Sequence, residues 1–149
     1  MITLSLIGIG TGNPDHLTRQ AAKSLNAADL ILIPRKGEAK SDLADLRRQI
    51  LAQVLTKAVP VAEYDVPMRA VQDDYLGAVN DWHDSIANVW AENIAARLSG
   101  DGNVALMVWG DPSLYDSTLR IAARLPGLVV KVIPGITSPA ATWGFVGER

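Results

Sequence analysis

The stretch Trp109-Gly110-Asp111-Pro112-Ser113-Leu114-Tyr115 gathers residue types suited to holding a polar small molecule. It follows Asn103-Val104-Ala105-Leu106-Met107-Val108, a run too short for a typical helix and too uniformly apolar for a half-exposed strand. Such a run predicts a strand buried on both faces of a parallel sheet. The helical spacing Leu119, Ile121, Ala122, Leu125 comes next, so the turn falls at the carboxyl end of a strand. That is where open α/β sheets bind ligands. Gly110 lets a ligand approach the backbone, and Pro112 stiffens the turn while its neighbours' amides and carbonyls point outward. The same residues also suit a plain helix start capped by Asp111 or Ser113.

A second turn, Gly8-Ile9-Gly10-Thr11-Gly12, lies between a strand pattern and a helix pattern, as a dinucleotide-binding turn would. Its third glycine comes one residue too early for G-x-G-x-x-G. The second strand ends in Pro34-Arg35-Lys36, where an acid for the ribose of NAD is expected. A basic strand end suits a 2′-phosphate, which keeps an NADP-binding Rossmann domain, or a non-catalytic ligand-binding module, as the alternative. Without a ligand, the glycines serve a tight turn. Between Arg35 and Arg48 five basic residues (Arg35, Lys36, Lys40, Arg47, Arg48) face three acids (Glu38, Asp42, Asp45). Most of these read as a solvated helix face. Arg35 and Lys36, at the ligand edge of the sheet, are placed to meet carboxylates, and Arg69 is a similar candidate. His83 lies between apolar positions of a long helix and reads as a partly buried structural residue.

Composition narrows the chemistry. A chain of 149 residues with 48% hydrophobic content is about one domain with a real core. A net charge of −2 lacks the basic excess of a nucleic-acid binder. The absence of cysteine excludes disulfides, thiolate metal sites and a cysteine nucleophile, and two histidines are too few for a zinc or di-iron site. Met1-Ile2-Thr3-Leu4-Ser5-Leu6-Ile7 reads as a first strand and not as a signal peptide. No apolar run approaches the roughly 20 residues that span a bilayer. The expectation is a soluble, cytoplasmic type of domain with no membrane or nucleic-acid partner.

Strand and helix patterns alternate along the chain. Strands are predicted over 2–9, 30–33 (stopped by Pro34), 61–66, 103–108 and 128–133. Helices are predicted over 16–28, over 42–55 with Leu43, Leu46, Ile50 and Val54 on one face, from Asp73 to Leu98, and over 114–124. Five strands alternating with helices predict a three-layer α/β domain with a five-stranded, mainly parallel sheet. The last segment, Pro134 to Arg149, is apolar, carries Trp143 and Phe145, and has nothing after it to cover it. It reads as a connector (134–149) from a first domain (1–133) to a second one outside this sequence. A helix folded back on the same domain is the other reading.

Three stretches then fall into one order. They are Gly8 to Thr18 with Ala27-Ala28-Asp29-Leu30, Gly110 to Tyr115, and Pro134-Gly135-Ile136-Thr137-Ser138. In order and spacing they resemble the tetrapyrrole (corrin/porphyrin) methylase family across the whole chain. Thr11 and Asn13 stand where that family usually has proline and aspartate. Both departures, with Pro34 to Leu43, resemble its branch that methylates precorrin-5 at C-1 with loss of acetate. The resemblance implies a two-domain enzyme binding S-adenosylmethionine in a trough between its domains, and that this chain, the N-terminal domain alone, is inactive without the C-terminal one. It leaves room for a homodimer. The cofactor contacts it implies are Thr11, Trp109, Gly110, Asp111, Leu114, Thr137 and Ser138. The glycine turn (Gly10, Gly12) becomes a wall of the substrate trough. Arg35, Lys36 and Arg69 are candidates for the tetrapyrrole's carboxylates, and Asp15, Asp111 and Tyr115 lie near the same edges with no general base singled out.

Overall fold

The computed structural model describes residues 1–36, 41–69, 73–114 and 116–137. Tyr115, Ser138 and the segment to Arg149, with Trp143 and Phe145, lie outside these. The elements are β1 (Ile2–Gly8), α1 (Arg19–Asn26), β2 (Leu30–Arg35), α2 (Ser41–Val54), β3 (Val61–Asp65), α3 (Tyr75–Arg97), β4 (Gly102–Val108), α4 (Asp116–Ala122) and β5 (Leu128–Ile133). The five strands form one sheet in the order β3-β2-β4-β1-β5, and every pairing is parallel.

Local chemistry sets the element ends. The first helix begins at Arg19 and not at residue 16, because Thr18 caps it: the Thr18 hydroxyl accepts from the Ala21 amide at 3.0 Å. The residues before it, Pro14–His16, form a single 3-10 turn capped by Asn13, whose side chain accepts from the Asp15 amide at 2.9 Å. Strand β2 does not stop at Pro34 but runs to Arg35. Ile31 donates to Pro60 and Arg35 accepts from Val66, so alternate residues turn their backbone groups toward β3 and those of Pro34 point toward β4. There the ladder has already ended at Leu32↔Leu106, and the missing N–H costs nothing.

Alternate residues of the buried strands feed two cores. On one face Leu4, Leu6, Leu32 and Leu106 pack with Ile86, Trp90 and Ile94 of α3 and Ile121 of α4. On the other, Ile7, Ile31, Ile33 and Met107 pack with Leu25 of α1 and Ile50 and Leu51 of α2. The result is the expected three-layer arrangement, each fully buried Leu or Ile contributing about 1.5–3 kcal/mol. Among the described residues no helix is long and apolar enough to cross a membrane.

The strand order makes a crevice. From β2 the chain moves outward to β3 by way of α2, while from β4 it moves the opposite way, by α4, to β5 on the far side of β1. Loops leaving the adjacent ends of β2 and β4 therefore diverge on opposite faces. In an open α/β sheet such a switch point is where a ligand fits.

One buried polar pair holds α3 to β3: the Trp90 indole N–H donates to the Tyr64 hydroxyl at 2.8 Å. Tyr64→Phe is expected to leave that N–H buried without an acceptor and to lower unfolding free energy by about 1–3 kcal/mol. Urea unfolding of the variant against the parent checks it.

Candidate functional site

Three loops meet at the carboxyl edge of the sheet. Gly10 and Gly110 exchange backbone hydrogen bonds, at 3.2 Å from the Gly10 amide and 2.8 Å from the Gly110 amide. Both adopt a left-handed backbone, with φ of 67° and 66°, which glycine reaches without strain. The third loop arrives still closer. A β-carbon on Gly135 would lie 2.1 Å from the Gly110 carbonyl oxygen, and one on Gly8 would lie 2.6 Å from the Gly135 nitrogen. These contacts are backbone against backbone, so no rotamer change relieves them. Gly8 and Gly135, which the sequence did not single out for close contact, are where a side chain has no room.

Asp111 ties the junction together. It is 9% exposed, and its carboxylate accepts from the Gly135 amide at 2.9 Å, from the Ser113 amide at 3.2 Å and from the Ser113 hydroxyl. The Ser113 hydroxyl, helped by the two amides and opposed by desolvation, holds the Asp111 carboxyl below its ordinary 3.8. Its side chain thus clamps the β4 and β5 loops, while its carbonyl accepts from the Leu114 amide at 3.0 Å.

The other sequence-predicted residues distribute around this junction. Thr11 is exposed next to Gly10, with its hydroxyl 2.9 Å from His16 Nδ1. Asp15 is exposed on the turn that follows. Gly12 lies against the Trp109 ring, where an added β-carbon would be 3.1 Å from Cζ3. Leu114 is 65% exposed beside the Gly110 turn, and Thr137 follows Gly135 by two residues. Lys36 and Arg69 gather over one aromatic ring, each cation 6.0 Å from the centre of Trp82. Arg35 is engaged elsewhere, in ion pairs with Glu63 at 3.5 Å and Asp65 at 3.2 Å. His83 is buried on α3, as read.

Arg47 breaks the sequence reading. It was assigned to a solvated helix face, yet it is 8% exposed and its guanidinium lies 5.0 Å from the centre of the Trp109 ring. Its Nε donates to the Met107 carbonyl at 3.2 Å, and burial pushes its pKa down to about 10. Helix α2 buries Ala44, Arg47, Ile50 and Leu51 and leaves Leu43 and Leu46 about 40% exposed, so it is rotated from the predicted stripe. The signal was present as the spacing Ala44, Arg47, Leu51, but a charged residue is by default placed outward. Arg48, one position on, is the solvated one, paired with Asp45 and Glu63. Among the described residues no group of His, Asp and Glu could hold a metal.

The profile of Tetrapyrrole (Corrin/Porphyrin) Methylases matches residues 3–148. The chain belongs to that family. Within this methylase family it is 44% identical over 145 residues to a precorrin-6A synthase [deacetylating] of Sinorhizobium sp, covering 93% of this chain and 56% of that protein. A Corynebacterium diphtheriae protein described as cobalamin synthesis related (CobF) superposes over 100% of this chain and 59% of its own, with TM-score 0.78 and 38% identity. The uroporphyrin-III C-methyl transferase of Thermus thermophilus, solved with S-adenosyl homocysteine, shares the fold, with TM-score 0.59 and 21% identity over 94% of this chain and 47% of that one. The chain thus spans 56% and 59% of the lengths of the first two of these relatives.

The Asp111 clamp makes a pH-dependent prediction. A carboxyl whose folded pKa is depressed adds stability above its unfolded pKa, and that stability is lost as pH falls through the lower folded value. Asp111→Asn is expected to cost about 1–2 kcal/mol near neutral pH. The gap to the parent should close as pH drops below 3.8. Urea titrations from about pH 7 to about pH 3 measure the difference.

Proposed function

We propose that this chain is the N-terminal part of an S-adenosylmethionine-dependent C-methyltransferase of corrin biosynthesis, which methylates precorrin-5 at C-1 and releases acetate to give precorrin-6A. The observation that carries the reading is the convergence of three motif loops on one sheet edge, in a chain 44% identical to a precorrin-6A synthase. On this reading residues 134–149 lead into a second domain, and the cofactor lies between the two.

The residues at the junction suit that cofactor. It is zwitterionic at one end and flat and partly apolar at the other, with no phosphate to bind. The glycine loops pack on each other and bond each other's amides, which does not suit a pyrophosphate cradle. Thr11, Trp109, Leu114 and Thr137, with the backbone of Gly110 and Asp111 and the adjoining Ser138, would hold it by backbone polar groups and apolar contact. S-adenosylmethionine supplies an electrophilic methyl group on a positively charged sulfur. Transfer to an electron-rich ring carbon depends on alignment at contact distance more than on an acid or base. The chain's residues serve that need: Gly10, Gly110 and Gly135 lock three loops at fixed spacing, and Asp111 keeps the lock closed. Gly12, Asp15, Lys36, Arg69 and Tyr115 would line the substrate side, with Arg35 at its border.

The experiment is incubation of the full-length protein with S-adenosylmethionine and precorrin-5, measuring acetate and methylated product. Both should form in equal amounts; failure of either to form rejects the reading. Calorimetry should find saturable binding of S-adenosylhomocysteine and none of NADPH. Leu114→Glu adds an anion to an exposed side chain beside the Gly110 turn. It is expected to weaken S-adenosylhomocysteine roughly tenfold, about 1.4 kcal/mol, with little change in melting temperature.

A further inference from the structure

Between the diverging ends of β2 and β4 the sheet opens. The pairing Leu32↔Leu106 is the last rung, yet β2 continues to Arg35 and β4 to Val108. The opening leads into a cavity of about 370 Å³ lined by Lys36, Arg47, Tyr64, Trp109 and Thr118 among others. Arg47 is 8% exposed and forms no ion pair with a carboxylate among the described residues. Its Nε–H bond to the Met107 carbonyl uses one of five guanidinium N–H donors. The Trp109 indole N–H, under the same guanidinium, is buried with no hydrogen-bond partner.

A buried cation without a counter-charge is expensive, and a neutral donor would satisfy the Met107 carbonyl equally well. A buried guanidinium with donors to spare lines the cavity at the switch point of the sheet, beside a second donor that has no partner among the described residues, and the pair describes a receptor for an anion. We propose that this crevice is a carboxylate subsite, in which the guanidinium of Arg47 and the indole N–H of Trp109 hold a side-chain carboxylate of the tetrapyrrole substrate, with Lys36 at the mouth. The proposal rests on the methyltransferase reading, which supplies a substrate rich in carboxylates and free of phosphate.

The cofactor also carries a carboxylate, and strand order separates the two sources. Gly110 bonds Gly10 after β1, and Asp111 bonds Gly135 after β5, so the loop junction lies on one side of β4. The Arg47 cavity lies on the other side, toward β2. Trp109, at the end of β4, divides them. A substrate reaching across Trp109 from the junction would place a peripheral carboxylate under Arg47, which fixes the ring's orientation by a charge-assisted fork.

The test uses the full-length protein, uroporphyrin I as a stable octacarboxylate tetrapyrrole, and S-adenosylhomocysteine, each titrated separately. Arg47→Gln is expected to weaken uroporphyrin binding about tenfold or more and Arg47→Lys less. Lys36→Met, at an exposed position that leaves the fold intact, should weaken it a few-fold. All three should keep S-adenosylhomocysteine affinity within about twofold, a margin of roughly 0.4 kcal/mol. Unchanged uroporphyrin affinity in Arg47→Gln overturns the subsite. Should that variant fail to fold, unchanged affinity in Arg47→Lys and Lys36→Met overturns it equally. Parallel loss of S-adenosylhomocysteine assigns the crevice to the cofactor's carboxylate and overturns it too. A parent protein that binds S-adenosylhomocysteine but not uroporphyrin rejects the subsite alone, whereas one that binds neither rejects the methyltransferase reading beneath it.

Discussion

The structure depends on three backbone loops meeting without side chains between them. Parallel strands deliver their carboxyl ends to one edge, but they do not join the loops that leave there. Here the joining is done by reciprocal amide bonds between Gly10 and Gly110 and by the Gly8–Gly135 contact, at distances a β-carbon cannot share. Because the contacts are main chain, the spacing of the loops is set by van der Waals radii and hydrogen-bond lengths and not by flexible rotamers. A site that works by alignment gains from that rigidity. Asp111 adds the closing bond, using a charge-assisted acceptor where a neutral one would hold the β5 loop more weakly.

The same edge carries an opposite design on the β2 side of β4. At the junction both carboxylate oxygens of Asp111 are hydrogen-bonded, whereas across Trp109 the guanidinium of Arg47 is buried with, among the described residues, a single hydrogen bond to the Met107 carbonyl. Satisfied groups make a scaffold; unspent ones store an interaction for something that arrives later. Lys36 and Arg69, stacked on Trp82, extend the positive surface outward from the cavity. The division follows from strand order, since placing β4 between β2 and β1 gives its single loop two different neighbours.

Much of the architecture was legible because it rests on short-range physics. The apolar runs at Leu30–Ile33 and Val104–Val108 suit strands of a parallel sheet covered on both faces, and the structure covers them so. The loops at Gly10 and Gly110 were legible as turns at strand ends. Their pairing was not, because it depends on which strands are neighbours, and periodicity is silent about the order β3-β2-β4-β1-β5. Pro34 read as a strand end because proline removes a donor; only the register tells that this donor would have faced an unpaired stretch. Arg47 was missed for a deeper reason. Binary patterning assumes that charge goes outward, an assumption that holds for stability and fails at sites that spend stability on binding.

That failure is itself informative about α2. With Leu43 and Leu46 half-exposed, the helix presents to the sheet a face that carries Arg47 among Ala44, Ile50 and Leu51. A rotation that buried Leu43 and Leu46 would expose Ala44 and Leu51 along with Arg47, so hydrophobic burial separates the two orientations only weakly. What opposes that rotation is local: the Met107 carbonyl takes the Arg47 Nε–H, Trp109 stacks on the guanidinium, and Arg48 reaches Asp45 and Glu63 on the outer side. Ile50 and Leu51 anchor the helix on the sheet, and where the apolar faces are this closely balanced the charges fix its rotation.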